Sequence, residues 1–218
     1  MRALAYNDYQ ALRKDARVIE ADASGDKVLL LPDGNFIKLF RRKRLISSAA
    51  LFPYAERFAS NALALRERGI PCPNVLDTRR VKHIKRDLVH YEPLPGSTLR
   101  SVIVKPPFAH DLELLAEFGA FVAQLHNKGV YFRSVHLGNV VVTPENTLGL
   151  IDIADMRTSG KPLRKNLCLR NFQHMRRYRE DLTWLLQDGG ATFFDSYARS
   201  SQHDWNGQDI GAELKLSI

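Results

Sequence analysis

Three side chains in this sequence have the types and spacing to handle phosphate and a hard metal ion. Asn139 and Asp152 lie 13 residues apart, flanking two apolar strand-like runs, 140–142 and 148–151, joined by a turn at 143–147. Asp152 therefore emerges at a strand end, where a buried carboxylate needs a cation, and oxygen ligands of this kind suit Mg2+. An Asn in a turn and an Asp capping a bend is the plainer alternative. The third residue is Lys38, in Phe36-Ile37-Lys38-Leu39-Phe40. Strand alternation puts it on one face with Phe36 and Phe40. A lone Lys among bulky apolar neighbours is expensive to bury without an anion, although a solvated face would simply leave it in water.

The groups around these three extend the same chemistry. Phosphoryl transfer needs mainly positioning and charge stabilisation. Glu56, 18 residues after Lys38, is the available helix carboxylate to hold that ammonium. It could equally be a surface Glu paired along its own helix, with Asn61 turned inward instead. The loop before Asn139 reads Phe132-Arg133-Ser134-Val135-His136-Leu137-Gly138-Asn139. His136 could donate to a phosphate or accept a proton there, or make one ordinary loop hydrogen bond. Asp155 is a second carboxylate in reserve.

The elements that must position these residues can be read along the chain. Three β-like runs, 17–20, 27–31 and 35–40, are separated by residues 22–26 and by Pro32-Asp33-Gly34, which predicts an antiparallel meander. A helix follows over 53–68, with Phe58, Ala62 and Leu65 on one face, ended by Gly69. Two more β-like runs, 75–82 and 87–92, close on the stiff connector Pro93-Leu94-Pro95-Gly96. Residues 111–128 form a strongly amphipathic helix with Asp111 as N-cap and Gly129 as stop. Beyond Leu163 the chain reads as helical over 166–186 and 192–200, with a polar, frayed tail from Ser201. The expected organisation is residues 1–93 as a sheet-plus-helix lobe, 94–200 as a helical lobe carrying the loop hairpin, and 201–218 as the tail.

Composition narrows the function classes. The 218 residues are 44% hydrophobic and 26% charged, ordinary for a globular domain with a sizeable core. No window approaches a membrane span, and the first residues lack a signal-type apolar core, so a cytoplasmic location is expected. Cys72 and Cys168, 96 residues apart, fit two unpaired thiols in a reducing compartment. The net charge of +8 is clumped in Arg41-Arg42-Lys43-Arg44, in Arg79-Arg80 with Lys82, and in Arg176-Arg177 with Arg179. Such clusters suit an anionic partner, or form a solvated basic face. With neither zinc-type spacing nor an aromatic RNA-binding motif, no nucleic-acid partner is expected.

The loop and hairpin match the protein-kinase pattern H-R-D-L-x-x-x-N followed by D-F-G, with Asp-Ile-Ala at 152–154 and Ser134 in place of the catalytic Asp. The glycine-rich loop is thin, with one glycine in 22–26. Together with residues 36–40, 65–73, 91–96, 129–139 and 151–155, the chain resembles the bacterial lipopolysaccharide kinase family, the Kdo and heptose kinases and their ice-nucleation-activity-protein relatives. The likeness spans about residues 17–185. It implies an α+β, protein-kinase-like two-lobed fold, with an antiparallel-sheet N-lobe and a shortened, mainly helical C-lobe. It also implies ATP with Mg2+, and phosphorylation of a sugar hydroxyl on a lipopolysaccharide precursor at the inner face of the inner membrane. Carried over by position, Lys38 would hold phosphates and Glu56 would orient it. The backbone around Glu92–Leu94 would meet adenine, Asn139 and Asp152 would bind metal, and Arg133, Ser134 and His136 would line the catalytic loop. A nucleotide-binding pseudokinase is the alternative that Ser134 raises.

Overall fold

The alternation at residues 36–40 builds a central strand of a six-stranded sheet, in a computed structural model that describes residues 1–42, 52–104 and 111–213. The chain divides into two compact units, Met1–Leu94 with Asp152–Asp155, and Pro95–Ile151 with Met156–Ile218. Lys43 and Arg44 of the first basic cluster lie outside the described residues.

The first unit contains β1 (Arg2–Ala3), α1 (Tyr6–Lys14), β2 (Arg17–Asp22), β3 (Gly25–Leu30), β4 (Phe36–Arg41), α2 (Tyr54–Glu67), β5 (Asn74–Val81) and β6 (Arg86–Glu92). Its sheet has the order β1-β5-β6-β4-β3-β2, antiparallel except where β1 joins β5. The expected meander is β2-β3-β4. Asp22 pairs with Gly25, so Ala23 and Ser24 form a tight turn where the thin glycine loop was noted. Ile37 and Leu39 of β4 pack with Leu29, Leu31, Val81 and Leu88 and with Tyr9 of α1. Fully burying each such aliphatic contributes about 1.5–3 kcal/mol, which holds α1 on this face. The opposite face carries Phe36, Lys38 and Phe40. There Phe36 and Phe58 of α2 both pack on Tyr91, with ring centroids 5.8 and 5.2 Å away, and Phe40 stacks on Tyr54 at 6.0 Å. The Phe58 and Tyr54 contacts seat α2 on the Lys38 face.

The second unit contains β7 (Ser97–Thr98), α3 (Leu99–Ile103), α4 (Leu112–Asn127), β8 (Val130–Tyr131), β9 (Val140–Val142), β10 (Leu148–Leu150), β11 (Arg157–Thr158), α5 (Lys165–Met175), α6 (Arg179–Leu185), α7 (Ala191–Ser200) and α8 (Gly207–Glu213). Strands β10, β9 and β7 form one small sheet, and β11 and β8 another. Asp111 caps α4 by accepting from the Leu114 N–H at 3.0 Å. Gly129 stops it at φ 72°, and a Cβ there would fall 2.4 Å from the Ser159 carbonyl oxygen. Gly119 lets α4 approach α7, since a Cβ at that position would sit 2.4 Å from the Phe193 carbonyl oxygen.

Two expectations for the helical region change. The single helix expected over 166–186 breaks at residues 176–178, and α6 then begins afresh and buries Asp181. The tail is packed up to α8: Gln202 N–H donates to Asn127 Oδ1 at 2.9 Å, and Ile210 is fully buried. Its polar composition hid one apolar anchor. Residues 214–218 of that tail lie outside the described residues. Among the described residues no helix is long and apolar enough to cross a membrane.

A buried polar chain secures the start of the loop that carries Arg133 to Asn139. His126 contacts the Asn171 Oδ1 through Nε2 at 3.1 Å and the Tyr197 hydroxyl through Nδ1 at 2.9 Å, while Asn171 Nδ2 donates to the Phe132 carbonyl at 2.7 Å. An Asn oxygen can only accept, so the proton sits on Nε2 and the Tyr197 hydroxyl donates to Nδ1. Burial holds the imidazole pKa down at about 4 against an ordinary 6.5, with the Asn171 hydrogen bond opposing. The unfolded chain thus gains this proton before the folded one does. Stability is complete above about pH 6.5 and falls as pH drops towards 4, by on the order of 3 kcal/mol. Chemical denaturation at pH 7 and pH 4.5 should show this loss in the wild type, with a clearly smaller one in His126→Gln.

Candidate functional site

In the first unit Lys38 and Asp152 meet directly. Lys38 Nζ donates to Asp152 Oδ1 at 2.6 Å, with the lysine side chain 19% exposed and the aspartate 48%. The anionic partner that the strand pattern demanded is therefore this carboxylate. Glu56 is placed elsewhere, with its Oε1 accepting from the Met1 ammonium at 3.0 Å. The expected Lys38–Glu56 pair is thus replaced by Lys38–Asp152, because packing of Phe58, Ala62 and Leu65 on the sheet turns Glu56 off the Lys38 face. Asn61 is the polar residue of α2 that turns inward, donating from Nδ2 to the Ile153 carbonyl at 2.6 Å.

Asp152 has φ 53°, in the left-handed region that a non-glycine residue enters only at a cost, Asp more readily than most. A 3₁₀ turn, Ile153–Asp155, follows and buries Ile153 and Ala154. Strain of this sort, held by packing on both sides, is a feature of ligand-handling positions. Tyr91, two strand positions from Val89 opposite Lys38, has its phenol pKa pushed up by burial and then by the charge of Asp152.

In the second unit the loop is fastened to its own surroundings. Asn139 Nδ2 donates to the Ser134 carbonyl at 3.0 Å, and the Asn139 carbonyl accepts from Ile151 N–H at 3.0 Å. The amide nitrogen is thereby committed, which leaves Oδ1 as the group that can face a cation. Arg133 is exposed and Ser134 half-buried. His136 Nδ1 accepts from the Gly138 N–H at 3.2 Å and lies 3.4 Å from an Arg100 guanidinium nitrogen, while its ring lies 4.0 Å from that of Tyr178. Two donors facing Nδ1 put the ring proton on Nε2, so His136 is built to donate rather than to accept a proton.

Behind this loop stands a group that sequence reading missed. Asp181 is 2% exposed and binds Arg100 through both oxygens, at 2.9 and 3.0 Å, while its Oδ2 also accepts from the Leu137 N–H at 2.9 Å. Arg100 N–H in turn donates to the Leu137 carbonyl at 3.0 Å. One carboxylate from α6 and one backbone N–H from α3 therefore fix Leu137 in the middle of the loop, while the Arg100 guanidinium holds that carboxylate. The signal available was slight: Asp181 follows Arg179 and Glu180 in the first turn of its helix and reads as an ordinary charged helix start, with no hint of its partner.

Taken singly, the oxygens these residues offer are of the kind that magnesium accepts. Among the described residues no three His, Cys, Asp or Glu side chains gather into an all-protein metal cage. Mg2+ needs none, since it is held by one or two protein oxygens together with phosphate and water. A half-exposed carboxylate and an oriented amide oxygen are such donors. Glu92 is exposed at the end of β6, accepting from Asn74 Nδ2 at 2.6 Å, and Leu94 is half-buried just beyond it. Of the basic clusters, Arg79 is paired with Asp77 and Arg80 with Asp87 at 2.7 Å, so that patch is neutralised locally. Arg41 and Arg42, and separately Arg176, Arg177 and Arg179, are exposed.

The family model for APH, the phosphotransferase enzyme family, matches residues 15–130, more than half of the chain. The chain belongs to this phosphotransferase family. Its fold is the mixed α+β, kinase-like fold of that family. A solved structure of WbdD with the kinase inhibitor LY294002 is similar at TM-score 0.48 and 18% identity, over 88% of this chain and 41% of that one. The chain thus spans about two-fifths of the length of that protein. No curated protein matches it.

Proposed function

We propose that this phosphotransferase-family chain binds Mg·ATP and phosphorylates a sugar hydroxyl of a lipopolysaccharide-core type glycolipid. The observation that carries the reading is the pairing of Lys38 with Asp152, a strained carboxylate and a shielded ammonium on the sheet of one unit. Mg·ATP supplies the transferable phosphoryl group and the charge neutralisation that transfer requires. In this reading Lys38 holds phosphate oxygens, Asp152 and Asn139 contribute oxygens to the metal, and the backbone around Glu92–Leu94 meets adenine. Arg133 and the Nε2–H of His136 face the charge of the transferred group. The exposed arginines at 41–42 and 176–179 support an anionic acceptor, and a peripheral place at the inner membrane would follow from it.

Ser134 has no carboxylate, and the tautomer of His136 does not replace one. General-base catalysis typically contributes about 10²–10⁴-fold, so slow transfer is expected rather than none. The test is ATP consumption with and without purified lipopolysaccharide core, together with transfer of labelled phosphate to that acceptor. Acceptor-dependent consumption, raised about tenfold or more by Ser134→Asp, is expected. Binding of Mg·ATP with no transfer in either protein would overturn the enzyme reading. It would leave the second reading, a nucleotide-binding pseudokinase, which the missing carboxylate at Ser134 favours.

A further inference from the structure

We propose that Asn61 is the positioning residue for Asp152, tying α2 to the turn after that carboxylate where a helix carboxylate would instead have held Lys38. This rests on the reading of Asp152 as a metal ligand.

Three observations on the first unit converge. Glu56 is turned to the Met1 ammonium, so no Lys38–Glu56 link couples α2 to the phosphate-holding strand. Asn61, 9% exposed, donates to the carbonyl of Ile153, the residue directly after Asp152, at 2.6 Å. Asp152 itself stands at φ 53°, and the turn that follows it is buried against α2 through Ile153 and Ala154. The short Asn61 hydrogen bond fixes the Ile153–Ala154 peptide plane, the first of the 3₁₀ turn that follows Asp152. The anchored turn holds the Asp152 backbone at φ 53°, and the Lys38 ion pair holds its carboxylate, so the two together set where the oxygens point. A carboxylate on α2 would hold Lys38 and leave the turn to find its own place. An amide holds the turn and leaves Lys38 to Asp152. The helix therefore acts on the metal ligand directly, and loss of its donor should loosen the ligand's orientation without removing any group that touches the metal.

The consequence is a change in magnesium dependence more than in nucleotide contacts. In Asn61→Leu, which keeps the branched shape and removes the donor, the Mg2+ concentration giving half-maximal binding of a non-hydrolysable ATP analogue should rise about tenfold. In Asn61→His, whose Nδ1–H lies at nearly the reach of the amide nitrogen, it should return most of the way to the wild-type value. Calorimetric titration of the analogue across a magnesium series measures this, and Asn61→Ser, too short to reach the carbonyl, stands in if the Leu variant does not fold. An unchanged magnesium dependence in folded Asn61→Leu or Asn61→Ser, with normal wild-type binding, overturns this inference alone. Equal weakening in the Leu and His variants overturns it too, because that is the signature of mere packing damage. Absence of any magnesium-dependent binding by the wild type removes both this inference and the proposed function.

Discussion

Asp152→Asn is expected to lose nearly all of the stabilisation that Mg·ATP gives the wild-type protein. Asn tolerates the left-handed conformation at φ 53° about as well as Asp, so the substitution removes charge and leaves the backbone undisturbed. It deprives Lys38 of its anion, but Asp152 is half-exposed, and the cost to the unliganded protein should stay near 1 kcal/mol. The liganded protein differs. A ligand present at 100 times its Kd stabilises the native state by about 2.7 kcal/mol, which in a domain of this size is roughly 5–11 °C in Tm. Thermal unfolding with and without Mg·ATP should show that shift in the wild type and almost none in Asp152→Asn. A full shift in the variant would mean that this carboxylate does not hold the metal.

The largest effect on the unliganded protein is expected from Asp181→Ala. The lost carboxylate leaves the buried Leu137 N–H without its acceptor and frees Arg100 from a bidentate partner. An unsatisfied buried donor costs about 1–3 kcal/mol, and the hydrogen bonds to charge add to that. Arg100 is a third exposed and also paired with Glu180, so its share is discounted, and about 3 kcal/mol in total is expected. That corresponds to a fall in Tm of roughly 6–12 °C. Asp181→Asn retains an acceptor for Leu137 and should lose about half as much. Amide exchange in the peptide covering residues 132–139 should quicken in the Ala variant. A Tm within about 2 °C of wild type would show that the loop is held by other means.

These two residues mark the boundary of what the sequence made legible. Asp152 could be found because local signals surround it: an apolar run before it, a turn behind that, and Asn139 at hairpin distance. Lys38 was legible for the same reason, since two-residue alternation places it between Phe36 and Phe40. The capping of α4 by Asp111 and its stop at Gly129 are also local chemistry. Asp181 was invisible because its partners lie 81 and 44 residues away, and no periodicity encodes that meeting. The choice between Glu56 and Asn61 failed for another reason. They are five residues apart, roughly 140° around a helix axis, so only one could face the sheet. The shared face of Phe58, Ala62 and Leu65 puts Asn61 beside it and Glu56 away from it, whereas the kinase-pattern spacing favoured Glu56 against that phase. Helix α1 escaped notice because it buries only Tyr9 and carries no strong apolar stripe.

The pairing of Lys38 with Asp152 predicts a site that still takes a metal-bound nucleotide despite Ser134. Calorimetric titration of ATP into the wild-type protein, with magnesium present and then removed by chelation, tests it most directly. Saturable binding that disappears with the magnesium is the predicted result. No heat of binding at millimolar Mg·ATP, or binding indifferent to the metal, would contradict it.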